Sequence, residues 1–556
     1  MLSVYTRIVG PGSPFELIER VIDGEPLREF KHGPHTLIDL YRRLERANRC
    51  TLIVNGSHRH TYGDVMSRSA VLSHALVNQM GVHVGMRIGI VMGNCPDWLA
   101  VFIAITSLGA TAVLVHHEVS PERLTDSMGA AHCTILIADS LTVRKLTHRR
   151  DKPPFLLVDV TEIVDPVHDF ARIPIGERSS FDPEQEAVIA FTSGTSGSPK
   201  GVVLTHRCIM SGLTNMLLGG TLSASRSAKR GQSHKEAVRP KAPTSLLLAP
   251  FSYVAGYSHF LLMAYAGGTI VTMPEWSAQV SLELIAREGI RSLAGATPTM
   301  LKEMLSIPNS HEVLSCLTSV GVYGAALDSQ LLGELTSFLP ATALTTGYGM
   351  TETSGSVCVA SGQDVIDRPG TAGPILPSVD LKCVRDDSDE PDQLGGTGEI
   401  WLRGSMIMKG YCEQPDLTRR VFQGRWFRTG DLGRVDSDGF LYVVDRVNDV
   451  ISCNGERISC AQIERVLMED YVTEQASVFS IPDVRYGHRL IVAIVPSRQH
   501  AFDGEIVRKR LAQIHATAAA VCKFMVFERL PNTASGKIDR MELRRLALHS
   551  SSPASQ

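Results

Sequence analysis

AFTSGTSGSPKGVVLTH, Ala190 to His206, crowds three glycines (Gly194, Gly197, Gly201), five hydroxyl side chains (Thr192, Ser193, Thr195, Ser196, Ser198) and one lysine (Lys200) between Thr192 and Gly201. Backbone N–H groups, hydroxyl donors and an ammonium in one turn suit phosphate oxygens. The turn follows the apolar run AVIAF, so it is expected at the end of a strand. A nucleotide-hydrolase loop is excluded by spacing. It needs GxxxxGK followed directly by Ser or Thr, whereas Gly194 to Gly197 is too short and Pro199 precedes Lys200.

Working outward, RIGIVMG (Arg87 to Gly93), TAVLVHH (Thr111 to His117) and CTILIAD (Cys133 to Asp139) are short apolar runs separated by helix-like stretches such as DWLAVFIAITSLGA. A second series follows the phosphate turn: TSLLLAP (Thr244 to Pro250), GTIVTMP (Gly268 to Pro274), SLAGATP (Ser292 to Pro298) and TSVGVYG (Thr318 to Gly324). This alternation predicts strands of mostly parallel sheets with helices on their faces. Near Asp380 the texture becomes DLKCVRDDSDEPDQLGGTGEIWLRG, two β-rich runs flanking an acidic turn, as in a hairpin.

After Asp445, the runs ASVFSIPD, LIVAIVPS and FMVFERL alternate with the helix-like CAQIERVLMED and DGEIVRKRLAQIHATAAAVC. The fold class expected is therefore α/β. Residues 1–444 form a large domain of parallel βα layers with a β subdomain at about 375–444. Residues 445–549 are expected to form a small α+β domain, and 550–556 a disordered tail. The Ser-, Lys- and Arg-rich segment Ser223 to Ser245 reads as a solvated surface loop. The extension up to about His35 carries no signal of its role.

Composition narrows the partners. A chain of 556 residues exceeds what one hydrophobic core usually serves, and 44% hydrophobic with 20% charged residues is ordinary for a folded enzyme-sized protein. Lys plus Arg number 55 against 58 Asp plus Glu, so no global field draws nucleic acid or an anionic membrane, and anion recognition has to be local. The eleven cysteines are scattered without metal-ligand spacing, which suggests reduced thiols. No run approaches the roughly 20 apolar residues of a membrane span, and neither end carries a targeting signal, so the cytoplasm is the expected compartment.

TSGTSGSPKGV resembles the signature TSG-[ST]-[ST]-G-x-PKG of the adenylate-forming superfamily, which includes acyl- and aryl-CoA synthetases, amino-acid adenylation domains and firefly-type luciferases. Four further stretches match that family in order and spacing: GAAL (Gly324 to Leu327), TTGYGMTET (Thr345 to Thr353), RWFRTGDLG (Arg425 to Gly433) and NTASGKIDR (Asn532 to Arg540). The resemblance spans nearly the whole chain. It implies that a carboxylic acid attacks the α-phosphate of ATP, pyrophosphate leaves, and the acyl-adenylate is passed to CoA.

The resemblance also implies residue roles. Thr192, Ser193, Gly194, Thr195, Ser196, Gly197 and Lys200 would hold the β and γ phosphates. Glu352 would ligate Mg²⁺ and Thr351 would contact the α-phosphate. Tyr348 would offer a flat face to adenine, beside Gly324, Ala325 and Ala326, whose small side chains let the ring approach the backbone. Asp431 would accept both ribose hydroxyls, with Arg446 as a ribose and phosphate contact. Lys537 would bridge carboxylate and α-phosphate during adenylation, a role that suits a flexible ammonium.

The chain also departs from the pattern. Asn448 stands at the hinge about which the small domain turns, where Asp or Lys is usual, and Asn tolerates unusual backbone angles. Cys460 replaces the Pro of PxEIE. In PFSYVAGYS, Pro250 to Ser258, Tyr253 replaces the His of the P-[LF]-F-H-x-x-G pattern. No acidic residue occurs between Pro250 and Pro274 to pair with a substrate ammonium, which argues against an amino acid. Tyr253, Gly256, Tyr257, Tyr323, Gly349 and Met350 would line an apolar acid pocket, favouring a lipophilic acid.

Three alternatives stay open: an acyl-AMP ligase that loads a carrier-protein phosphopantetheine, a luciferase-like monooxygenase, and a degenerate nucleotide-binding member without turnover. A homodimer is compatible with the sequence.

Overall fold

The computed structural model describes residues 7–22, 24–147, 154–163, 181–192, 199–229, 242–323, 329–340, 342–385, 396–453, 456–469, 473–483, 487–497, 502–532 and 538–549. Outside them lie Ser193 to Ser198 of the phosphate turn, Gly324, Ala325, Ala326, Lys537 and the tail 550–556. The architecture is mixed α/β with parallel sheets. Packing divides the chain into two compact units: Met1–Ala326 with Glu334–Asp380 and Leu402–Phe427, and Leu327–Gly333 with Leu381–Trp401 and Arg428–Gln556. The boundary expected at 444/445 falls within the second of these units. Strand pairing accounts for the difference, because Phe440–Arg446, Trp426–Val435, Gly398–Arg403 and Asp380–Val384 are hydrogen-bonded neighbours in one sheet.

Among the described residues the first unit holds two large sheets. In one, Arg87–Val91 runs parallel to both Thr111–Leu114 and Ile135–Ala138. Thr111–Leu114 runs parallel to Glu186–Thr192, which turns back antiparallel into Lys200–Thr205. In the other, the central order is Ala343–Met350, Ser319–Val322, Ser292–Ala296, Thr244–Leu247, Thr269–Thr272, Thr51–Asn55, all parallel. The predicted apolar helix is Pro96–Ser107, and every residue from Trp98 to Ser107 is buried, as a helix without a polar face requires. The strand predicted in TAVLVHH stops at Leu114, so both histidines leave the sheet at its carboxyl edge.

One expectation is corrected here. The solvated loop at Ser223 to Ser245 is ordered at both ends: the helix His206–Lys229 covers its start and the strand Thr244–Leu247 its end. The Arg226 guanidinium meets the buried Asp364 carboxylate at 2.7 Å, which explains why a charged side chain belongs on that helix. The N-terminal extension forms an antiparallel hairpin, Leu17–Ile22 with Glu25–Phe30. Arg28 fastens it to Val379 O (3.1 Å) and the Asp380 carboxylate.

In the second unit, Thr473–Asp483 pairs antiparallel with Gly487–Pro496, and the latter parallel with Lys523–Val526. Strand alternation sends Val478 and Val492 into one core with Ile463 and Leu467 of the helix Cys460–Glu469. It sends Phe479 and Ile491 into another with Leu543 of Arg540–His549. The single helix expected in DGEIVRKRLAQIHATAAAVC is two, Gly504–Ile514 and Ala516–Val521. They are separated at His515, whose extended backbone (φ −155°, ψ 100°) breaks the helical ladder.

Candidate active site

The two ends of the phosphate turn are clamped together by the antiparallel pairing of Thr192 with Lys200. Gly201, next to Lys200, is sterically required: a Cβ there would lie 2.9 Å from Ile189 Cγ2 and 3.2 Å from Cys412 Cβ. The side chain of Gln414 donates to Pro199 O at 3.2 Å, fixing the exit of the turn. Lys200 is thereby held on a paired strand.

TTGYGMTET forms the strand Ala343–Met350 and a tight turn, Thr351–Thr353, before the chain returns antiparallel as Gly355–Ser361. The buried Thr353 hydroxyl accepts from Met350 N (2.9 Å) and donates to Gly355 O (2.6 Å). A Cβ at Gly349 would collide with the Gly355 carbonyl, and Ser354 takes a left-handed backbone (φ 53°) to close the turn. These constraints set the directions of Thr351 and Glu352. Tyr348, opposite Cys358 in the register, is largely buried, which limits how much of its ring faces a ligand.

Glu352 is oriented by a residue that the motifs do not contain. Tyr411 donates its phenolic hydrogen to Glu352 Oε1 at 2.9 Å, while Met408 N donates to Glu352 O at 2.8 Å. The short strand Gly410–Tyr411 pairs with Val202 and Val203, so Tyr411 lies along the strand that begins at Lys200. Burial, reinforced by the Glu352 carboxylate, pushes the Tyr411 phenol well above its ordinary value, so it stays protonated and donates. One carboxylate and one ammonium from distant motifs are thus tied to one strand pair.

Asn94 staples PFSYVAGYS: its Nδ2 donates to Ala249 O (3.0 Å) and its Oδ1 accepts from Phe251 N (2.7 Å). Tyr253 caps the helix Val254–Ala266, and a Cβ at Gly256 would strike the Pro250 carbonyl. Burial raises the Tyr253 phenol to about 12. Tyr257 is fully buried, stacked on Phe102 at 6.3 Å, and its hydroxyl has no partner among the described residues. Tyr323 follows the strand Ser319–Val322, with room made by Gly321, where a Cβ would lie 3.0 Å from the ring.

The second unit brings two more of the predicted residues together. Asp431 and Arg446 face each other across antiparallel strands, with Arg446 Nε 3.2 Å from Asp431 Oδ1. Asp431 is 6% exposed and its N–H donates to Thr429 Oγ1 at 3.1 Å. Asn448 lies in the turn Val447–Asp449. Asp449 and Glu464 both pair with Arg540, the Glu464 contact at 2.8 Å. Asn532 and Ile538 bridge the ends of the segment that carries Lys537.

No cluster of three or more His, Cys, Asp or Glu among the described residues could hold a metal, so Glu352 belongs to no all-protein cage there. One carboxylate, with phosphate oxygens and water completing the shell, is ordinary coordination for Mg²⁺ on a nucleotide, so the residue fits that ion.

Comparison with known proteins follows the same lines. The family model described as AMP-binding enzyme matches residues 40–412. The chain is 26% identical over 512 residues to 4-coumarate--CoA ligase 3 of Oryza sativa subsp. japonica, covering 90% of each. It is 29% identical over 482 residues to a 2-succinylbenzoate--CoA ligase of Bacillus cereus, covering 84% of this chain and 90% of that one. The O-succinylbenzoate coenzyme A synthetase of Bacillus subtilis, solved in complex with ATP and magnesium ion, superposes with a TM-score of 0.74 at 25% identity. That match covers 91% of this chain and 98% of the other.

Proposed function

Because the chain belongs to the AMP-binding enzyme family, we propose that it activates a lipophilic carboxylic acid with ATP, releasing pyrophosphate, and transfers the acyl group from the adenylate to CoA. The observation that carries this reading is the joining of Lys200 and Glu352 to one strand pair through Tyr411. It supports an acid-thiol ligase over a degenerate nucleotide binder, because a binder needs no carboxylate fixed against the strand that begins at the phosphate lysine.

In this reading Lys200 and the turn from Thr192 hold the leaving pyrophosphate, and Thr351 contacts the α-phosphate. Catalysis rests mostly on positioning and on cations placed where phosphate charge develops. Mg²⁺ on Glu352 would neutralise phosphate oxygens. Asp431 accepts the ribose hydroxyls, with Arg446 holding the carboxylate in place. Lys537 supplies the ammonium between carboxylate and α-phosphate, and Asn448 is the hinge of a small domain from 445. Tyr253, Tyr323, Gly349 and Met350 line the acid, while Tyr257 backs them from the core.

CoA is favoured over a carrier protein as acceptor because the named relatives are CoA ligases. No helix among the described residues is long and apolar enough to cross a membrane. The free cysteines among the described residues support a reducing compartment, for which we propose the cytoplasm. The test is thioester formation from a lipophilic acid and ATP, with free CoA against phosphopantetheinylated carrier protein. Product with CoA supports the ligase, and product with carrier alone moves the chain to the acyl-AMP ligases.

A further inference from the structure

Thr111–Leu114 pairs with Glu186–Thr192 so that Leu114 lies beside Ala190. The chain leaves the sheet at His116, at the same edge where Thr192 leads into the phosphate turn. His116 is 5% exposed, and its ring stacks on Tyr253 at 5.1 Å and 16°. The His117 ring lies 4.5 Å away, centroid to centroid. His116 Nδ1 accepts the Glu118 N–H at 3.2 Å, so the neutral ring carries its hydrogen on Nε2. That Nε2 is buried and has no partner among the described residues, and neither has His117 Nδ1.

Buried donors are almost always satisfied, so an orphan next to a ligand edge is completed when the ligand arrives. In open parallel sheets that edge is the carboxyl end of the strands. Asn94, His116 and Tyr253 all follow such ends.

We propose that His116 is a specificity-determining residue whose Nε2–H donates to an uncharged oxygen (hydroxyl, ether or carbonyl) on the body of the acid substrate, with Tyr253 as the platform that orients the imidazole. This rests on the acid-activating reading given above. The uncharged acceptor is preferred over carboxylate or phosphate oxygens on two grounds. The Glu118 carboxylate lies 4.0 Å from Nδ1, so a second anion on this ring is disfavoured. Burial and the neighbouring His117 hold the ring's pKa down to about 4, so it offers a neutral donor, while Lys200 serves the anions.

The experiment uses the full chain as wild type, His116→Phe, which keeps an aromatic stack, and His116→Gln, which restores a neutral N–H. Two acid pairs serve as probes: decanoic acid with its omega-hydroxy counterpart, and phenylacetic with para-hydroxyphenylacetic acid. Binding by calorimetry and acid-dependent pyrophosphate exchange are both measured. In at least one pair, wild type should favour the oxygenated acid in Kd, His116→Phe should cut that preference about tenfold, and His116→Gln should recover part of it. Equal losses on both members, or an unchanged preference, overturn the assignment while leaving activation intact. A His116-dependent preference in binding without exchange for any acid upholds the assignment and overturns the activation reading.

Discussion

Tyr411 donates to Glu352 across 2.9 Å although 59 residues separate them. The bond orients a carboxylate whose neighbours in sequence are themselves locked by the Thr353 turn. Tyr411→Phe removes one hydrogen bond to a charged group, a change of about 1.5–3 kcal/mol. The expected result is a rise in the KM for ATP of about tenfold or more, with the magnesium requirement shifted to higher concentration. Steady-state kinetics over a magnesium titration checks it. Unchanged ATP and magnesium dependence would remove Tyr411 from the site.

Lys537→Ala separates the two half-reactions. Adenylate formation, read as pyrophosphate exchange, should fall by about a thousandfold, the scale of losing one preorganised electrostatic group. Thioester formation from a supplied acyl-adenylate should change little. Equal losses in both would show that Lys537 does not act in the first step.

Asp431→Asn tests the nucleotide side. Arg446 is 57% exposed at its side chain and can turn to solvent once Asp431 is neutral, so the stability cost should stay under about 1 kcal/mol. ATP binding should weaken about tenfold, because a neutral amide cannot accept both ribose hydroxyls as a carboxylate does. Calorimetric titration with ATP, alongside a denaturant midpoint, distinguishes the two effects.

Buried neutral histidine makes the fold acid-sensitive. His206, 1% exposed, accepts Leu37 N–H at Nδ1 (3.3 Å), and burial lowers its pKa from 6.5 to about 4, against a small upward pull from Asp39. Above the unfolded value both states are neutral and the stability is fully present. As pH falls from about 6.5 towards 4 the unfolded chain takes up the proton first, and roughly 3 kcal/mol is lost at the limit. Urea midpoints for wild type and His206→Asn should therefore converge as the pH drops from about 7.5 to 5. Parallel curves would contradict the burial argument.

What the sequence made legible follows from what its signals depend on. Short apolar runs such as RIGIVMG and CTILIAD announced parallel strands because a strand covered on both faces has no polar alternation. TGDLG and VDRVND were each readable, and their residues Asp431 and Arg446 meet across one ladder. Tyr411 left no such mark: its role comes from the pairing of a two-residue strand with Val202, a long-range contact that spacing does not encode. The start of the loop expected at Ser223 to Ser245 is helix instead, because Arg226, which reads as a solvated charge, pairs with the buried Asp364. His116 was read in the end of a strand, and its role depends on the ring of Tyr253, which caps a distant helix.

The most direct test of the account is acid-dependent exchange of labelled pyrophosphate into ATP, run over fatty, aryl and terpenoid acids with the wild-type chain. Exchange is expected with at least one lipophilic acid, dependent on magnesium and lost in Lys537→Ala. No exchange with any acid in the panel would contradict it.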